Sequence, residues 1–224
     1  MEIKRDFIFD PSLVLYLPLY KLDDASFMSK DAYGHLCTVT GALWRPNGRY
    51  FDETDDNIDL GAIHTIGTGD VSIEVWFKNS QTFVEGAAGY FIANKENFTN
   101  NFTKLIILRT PVEDVGKIDL YTEGAAGANE HIRTDDPYND GIWHHVVVTR
   151  TGATGKIYID GVEVKSGTTR SDDIGGATTW YIGSSGATAG TWYGGQIGEV
   201  RIYSRVLAFP EIQHNYEATK WRYQ

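Results

Sequence analysis

Lys156-Ile-Tyr-Ile-Asp160-Gly161-Val-Glu-Val-Lys165 reads as two short strands joined by a tight turn. Asp-Gly tolerates the positive φ angles of a type I′ turn, whose twist matches that of the flanking strands. Folding about it places Ile159 opposite Val162 and Ile157 opposite Val164 on one apolar face, with Tyr158 meeting Glu163 on the other. Just upstream, Val146-Val147-Val148 is apolar to both sides, as expected of a central strand covered on each face.

The same two-residue period recurs along the chain. Leu13, Leu15, Leu17 and Leu19 share one face of a first strand. Val71, Ile73, Val75 and Phe77 share one face of another, with Ser72, Glu74 and Trp76 opposite. Further strands are predicted at 90–94, 104–109, 117–122, 130–133, 142–149, 156–159, 162–165, 179–183 and 196–203. Glycine-rich segments at 86–89, 124–128, 152–155 and 183–195 read as loops. Only the C-terminus reads as a helix: Pro210 suits its first turn, and Phe209, Ile212 and Tyr216 form a stripe expected to pack on the strands.

At 224 residues the chain fits one large β domain, expected over 13–224 after an N-terminal extension of residues 1–12. Aromatic residues make up 13% and there are 24 glycines, a composition that suits strands joined by tight turns. The formal net charge of −10 argues against nucleic acid and against anionic membranes as partners, since both need a basic patch. A single cysteine, Cys37, excludes an intrachain disulfide. No stretch reaches the roughly 18 apolar residues of a membrane span. Residues 13–19 read as a strand rather than as the apolar part of a signal peptide.

Four segments in order carry a family resemblance. They are Gly48-Arg-Tyr-Phe51-Asp52-Glu-Thr-Asp55-Asp56-Asn-Ile58-Asp-Leu60, then Ser72-Ile-Glu-Val-Trp76-Phe77. Next comes Asp140-Gly-Ile-Trp143-His144-His145-Val-Val-Val-Thr149, leading into the hairpin. Gly195-Gln-Ile-Gly-Glu199-Val-Arg201-Ile-Tyr203-Ser-Arg205-Val-Leu207, with Glu211-Ile212, closes the pattern. Together they resemble the laminin-G-like branch of the concanavalin A-like lectin/glucanase superfamily over about residues 13–217. The resemblance implies an all-β, two-sheet antiparallel jelly-roll sandwich with a short C-terminal helix. Two positions depart from the family pattern: Glu53 stands where a glycine is frequent, and Gly198 where an aspartate is.

Glycosidases of this fold resemble one another in a Glu-x-Asp-x-Glu strand, because retaining hydrolysis wants two carboxylates about 5–5.5 Å apart. The nearest alternation here is Ser72, Glu74, Trp76, with one carboxylate, and a hydrolase or lyase is disfavoured. His144 and His145 are strand neighbours that point to opposite faces and cannot address one ion, so a structural role is expected. Asp52, Glu53, Asp55, Asp56 and Asp59 offer hard oxygen ligands in a turn. A solvated acidic turn is the plainer reading; a structural Ca²⁺, where one binds, is expected on Asp52, Asp55 and Asp56.

Trp180-Tyr181 and Trp192-Tyr193 flank a Gly/Ser/Thr-rich loop, and with Tyr138 they are the candidate rings for stacking on a sugar. Alternation sends one residue of each Trp-Tyr pair into the core. Asn97-Phe-Thr99 and Asn101-Phe-Thr103 read as a polar loop, with the phenylalanines as anchors or as a protein contact. The expected function is therefore non-catalytic: a carbohydrate-binding or adhesive module with a glycan or protein surface as partner. The competing reading is a virion component, a phage capsid decoration or tail protein that contacts capsid or tail subunits or copies of itself. The corresponding locations are an extracellular surface or a virion.

Overall fold

The computed structural model describes residues 10–82, 84, 88–94, 102–124, 127–175, 179–186 and 191–224. The hairpin turn has the geometry its sequence demands, with φ of 51° at Asp160 and 78° at Gly161. Ile159 faces Val162 and Tyr158 faces Glu163, but a bulge follows, so that Ile157 pairs with Lys165 rather than Val164. The single apolar face expected of the hairpin is therefore split: Val162 is exposed, while Val164 packs against the core.

In chain order the strands are β1 (Leu13–Pro18), β2 (Ser26–Met28), β3 (Leu36–Thr40), β4 (Leu43–Arg45), β5 (Gly48–Asp52), β6 (Asn57–Gly61), β7 (Val71–Lys78) and β8 (Ala88–Ala93). Then follow β9 (Phe102–Leu108), β10 (Lys117–Glu123), β11 (Asn129–Pro137), β12 (Trp143–Thr151), β13 (Thr154–Ile159), β14 (Val162–Thr168), β15 (Trp180–Ile182) and β16 (Gly194–Tyr203). They form two antiparallel sheets. The first runs β14-β13-β12-β7-β16-β5-β4, with β1 also on β16; the second runs β11-β10-β9-β8-β15-β6-β3-β2. The family's jelly-roll sandwich is thus the architecture of the chain.

Alternation explains which side chains fill the space between the sheets. Ile73, Val75 and Phe77 of β7 and Val146 and Val148 of β12 meet Leu105, Ile107, Ile118 and Leu120 from the second sheet. Burying such side chains is worth about 1.5–3 kcal/mol each, which is why the register is held so firmly. Cys37 lies in this core, and burial pushes its thiol up to about 12. Along one side the edge strands β14 and β11 approach, and Lys165 Nζ reaches Asp135 at 2.7 Å.

The outer face of the first sheet is covered by α1 (Phe209–Thr219), whose first turn is closed by Glu211 accepting the Ala208 N–H at 2.7 Å. Ile212 and Tyr216 of the expected stripe pack on the sheet, Tyr216 stacking on Trp76, and Asn215 and Thr219 are buried beside them; Phe209 instead is exposed and only partly shields Tyr158. The cause lies beneath the helix, where the sheet presents polar groups. Asn215 Nδ2 donates to Glu74 Oε2 at 2.8 Å, and Trp76 Nε1 donates to Thr219 Oγ1 at 2.9 Å.

Glu74 is 1% exposed and is the centre of an ionic network. Arg201 bonds both Glu74 and Glu199, Arg222 bonds Glu199, and His145 Nε2 lies 3.0 Å from Glu74. Burial alone would raise the Glu74 carboxyl, but Arg201, His145 and Asn215 hold it near 2. His144, on the opposite face of β12, holds the turn instead, with Nδ1 2.8 Å from Asp160 Oδ2.

Gly198 now has a reason: a Cβ there would stand 2.4 Å from the Tyr223 ring, which stacks on Trp76. Asp or Ala at this position would lift the C-terminal segment off the sheet. Gly198→Ala is accordingly expected to destabilise, and Tyr223→Ala to suppress part of that loss in a double-mutant cycle. Arg201→Met strands two buried carboxylates and is expected to cost about 3–5 kcal/mol in urea denaturation at pH 7. Because the folded Glu74 value lies below the ordinary glutamate value of 4.5, its stabilisation is complete above that pH and fades as pH falls toward 2. Glu74→Gln should flatten the stability profile in that window.

Candidate binding cleft

The ends of β5, β7 and β9 and the start of β16 meet at one end of the sandwich. Asp52 pairs with Gly194 and Tyr50 with Gln196 across β5 and β16. The chain leaving β7 passes through Asn79 to Thr82, and the chain leaving β9 brings Arg109 alongside. Between them lies a cleft of about 260 Å³ lined by Tyr50, Asp52, Glu53, Gln81, Arg109 and Gly194, among others.

Gln81 is the most constrained of these groups. Its N–H donates to Asn79 Oδ1 at 2.9 Å, and its carbonyl accepts Asn139 Nδ2 at 2.8 Å. Asn79 Nδ2 donates to the Gly194 carbonyl at 2.7 Å and to Gln81 Oε1 at 2.8 Å. A carbonyl can only accept, so the Gly194 bond identifies the Asn79 nitrogen and thereby orients the Gln81 amide. Gln81 Nε2 is left without a hydrogen-bond partner although the residue is only 8% exposed. The amide lies in a slot bounded by two glycines: a Cβ on Gly89 would stand 2.8 Å from Oε1, and one on Gly194 2.7 Å from Nε2.

Opposite it, Arg109 joins the two sheets. It is almost fully buried, its Nε donates to the Thr82 carbonyl at 3.0 Å, and its Nη1 bonds Glu53 Oε1. Glu53 has φ of 73°, the left-handed region that favours glycine. That explains the glycine frequent here in the family. The side chain that this chain carries instead supplies the carboxylate of the cleft. Tyr50 is 40% exposed on the wall, with the Arg45 guanidinium 5.9 Å from its ring centre.

The acidic turn borders the same end. Ligand atoms of Asp52, Asp55 and Asp56 lie within 4.8 Å of one another. Asp52 Oδ1 accepts the Thr54 N–H at 2.9 Å, and Asp56 Oδ2 accepts the Asp52 N–H at 2.8 Å. The second oxygens of Asp52 and Asp56 and the Asp55 carboxylate fit a hard cation in type. Burial raises the Asp56 carboxyl; the Asp52 amide opposes this, and the charges of Asp52 and Asp55 add to it. Gly41 permits the approach, since a Cβ there would collide with Asp56 Oδ1.

The candidate rings separate. Trp180 and Tyr193 are 0% exposed and cannot stack on a ligand: Trp180 Nε1 donates to the His64 carbonyl at 2.9 Å, and Tyr193 OH to the Lys78 carbonyl at 2.9 Å. Both are core residues because hydrogen-bonding ends let large rings fill the interior. Their neighbours point outward, as alternation requires. Trp192 is half-exposed, two residues ahead of Gly194, whereas Tyr181 lies on the second sheet beside Asp59 and Ala93. Tyr138 is half-buried, edge-on to His144, and precedes the Asn139 that holds Gln81.

Asn97, Thr99 and Asn101 lie outside the described residues, as do residues 1–9 of the extension. Phe102 is buried against Tyr121 and is no exposed contact. Sequence reading overlooked Gln81, Asn79, Arg109 and Tyr50. Gln81, Asn79 and Arg109 belong to no motif and Tyr50 carries no mark within the first family segment; only the pairing of distant strands brings them together.

A family model of the concanavalin A-like lectin/glucanases superfamily matches residues 52–213. No curated protein sequence matches the chain. Among solved structures, the receptor binding domain of botulinum neurotoxin D is similar, with a TM-score of 0.71 and 18% identity over 92% of this chain and 52% of that one. The binding domain of Paraclostridial Mosquitocidal Protein 1 has a TM-score of 0.68 and 15% identity, over 92% and 52%. The binding domain of Botulinum Neurotoxin DC in complex with SialylT has a TM-score of 0.68 and 14% identity, over 93% and 52%. The chain thus spans about half the length of these domains, and at such identities the likeness is one of fold.

The raised Asp56 value means that its charge costs stability as pH rises through the folded-state value. In EDTA at pH 7, Asp56→Asn is expected to raise Tm in thermal denaturation, since it removes the buried charge. The gain should vanish below the usual carboxylate range. A melting temperature that rises in millimolar calcium for the wild type alone would identify the three carboxylates as an ion site.

Proposed function

This chain belongs to the concanavalin A-like lectin/glucanase superfamily, and on that premise we propose that it is a non-catalytic binding module that takes a carbohydrate in the end cleft. The observation that carries the reading is the Gln81 amide, fixed on every side except for an Nε2–H₂ with no partner in a cleft that also holds Glu53, Asp52 and an exposed tyrosine ring. Sugars are recognised by rigid donors and acceptors set beside an aromatic face, because each hydroxyl must exchange water for partners of equal quality.

Two further observations support a binding role over chemistry. The one carboxylate of the Ser72-Glu74-Trp76 alternation is sealed beneath α1 and committed to Arg201, so no substrate reaches it. The similar solved structures are described as receptor-binding or binding domains, one of them in complex with SialylT. These are properties of those proteins. They favour a binding module over a virion component that acts through capsid or tail contacts.

Screening on a glycan array tests the proposal. Tyr50→Ala should reduce binding about tenfold or more without lowering Tm, since its ring is exposed and its loss leaves the core intact. Trp192→Ala should weaken binding less. Trp180→Ala, by contrast, should destabilise the fold by about 3–5 kcal/mol as a core truncation. Silence of the wild type across neutral and acidic glycans would overturn the reading.

A further inference from the structure

Gln81 Nε2 and Glu53 Oε2 converge on the bare Cα of Gly194. A Cβ on that residue would stand 2.7 Å from the first and 3.0 Å from the second, which places the two atoms at most 5.7 Å apart. They do not bond each other, because Nε2 has no partner. One hydroxyl group spans such a gap with two ordinary hydrogen bonds of about 2.8 Å, accepting from the amide and donating to the carboxylate. Neither a carboxylate nor a sulfate can do so, having no proton to give to Glu53.

Carboxylates outnumber cations around this point, where the Arg45 guanidinium also lies over the Tyr50 ring. Asp52 and Glu53 line the cleft, and Asp55 and Asp56 stand beside it. The cation lining the cleft, Arg109, is already held by Glu53 and by the Thr82 carbonyl. The chain as a whole carries a formal net charge of −10. An acidic sugar entering here would meet a net excess of carboxylates at short range.

We infer that the cleft reads an uncharged sugar through one hydroxyl held between Gln81 Nε2 and Glu53 Oε2 over Gly194, and that it excludes sialylated and sulfated glycans. This selectivity rests on the carbohydrate-binding reading above. It separates the chain from its structural neighbour solved with SialylT, whatever the fold they share.

The test uses the full chain on an array in which each neutral glycan is paired with its sialylated form, in EDTA and again in millimolar calcium. Neutral members should bind about tenfold or more tightly than their sialylated partners at low salt, and the ratio should narrow at about 0.5 M salt as screening shortens the reach of the carboxylates. Gly194→Ala should cost about tenfold or more in neutral-glycan affinity, because its Cβ would crowd both Gln81 Nε2 and Glu53 Oε2 and block the approach of a hydroxyl between them; the glycine has no positive φ to strain. Equal or tighter binding of sialylated glycans, in either buffer, overturns the selectivity alone. Wild-type affinity in a folded Gly194→Ala overturns the hydroxyl position. Should that variant fail to fold, the neutral-to-sialylated ratio still decides. No binding to any glycan overturns the carbohydrate reading with it.

Discussion

The pairing of Glu74 with Arg201, buried between the first sheet and the C-terminal helix, organises the outer half of this molecule. Neither charge tolerates removal from water alone, so each is satisfied by the other and by polar neighbours drawn from separate elements. Glu74 takes Asn215 from α1 and His145 from β12; Arg201 takes Glu199, which in turn takes Arg222. The polar floor selects the helix face that docks. Asn215 and Thr219 are buried for their hydrogen bonds, while Phe209, the more apolar choice, stays outside. Tyr223 then lies over Trp76 because Gly198 leaves room for its ring.

Sealing this face has a functional consequence. With Glu74 covered by the C-terminal helix, the alternation nearest to a glycosidase signature is out of reach, whereas the polar cleft at the end of the sandwich is open. That cleft owes its rigidity to the core behind it. Phe51, Phe77, Phe91 and Tyr193 pack as one aromatic group, and the Tyr193 hydroxyl returns to the Lys78 carbonyl just before Asn79. The donors and acceptors of the cleft are therefore already oriented, an arrangement that spares the cost of ordering such groups on binding.

The two departures from the family pattern belong to these two places. Glu53 accepts a left-handed backbone and provides a carboxylate that ties Arg109 and faces the cleft. Gly198 surrenders an acidic side chain to make space for Tyr223. Each exchanges a generic feature of the fold for one specific to this chain.

Strand periodicity was legible because half-buried strands must alternate, and the Asp160-Gly161 hairpin because few other residue pairs adopt its φ angles. The ordered motifs identified the jelly roll before any contact was known, and alternation foretold that one ring of each Trp-Tyr pair would be buried. It did not tell which. That choice between Trp180 and Tyr181, or Trp192 and Tyr193, depends on register, and bulges at Trp180/Tyr181, Ile157/Tyr158 and Ile197/Val200 shift register without a mark in the sequence. The short strands β2 to β6, none longer than five residues, escaped because so short a run shows little period. The cleft was illegible for a deeper reason. Tyr50, Gln81, Arg109 and Gly194 are far apart along the chain, and only closure of two sheets over one core makes them neighbours. Local propensity determines the strands of this protein; the long-range packing of those strands determines its site.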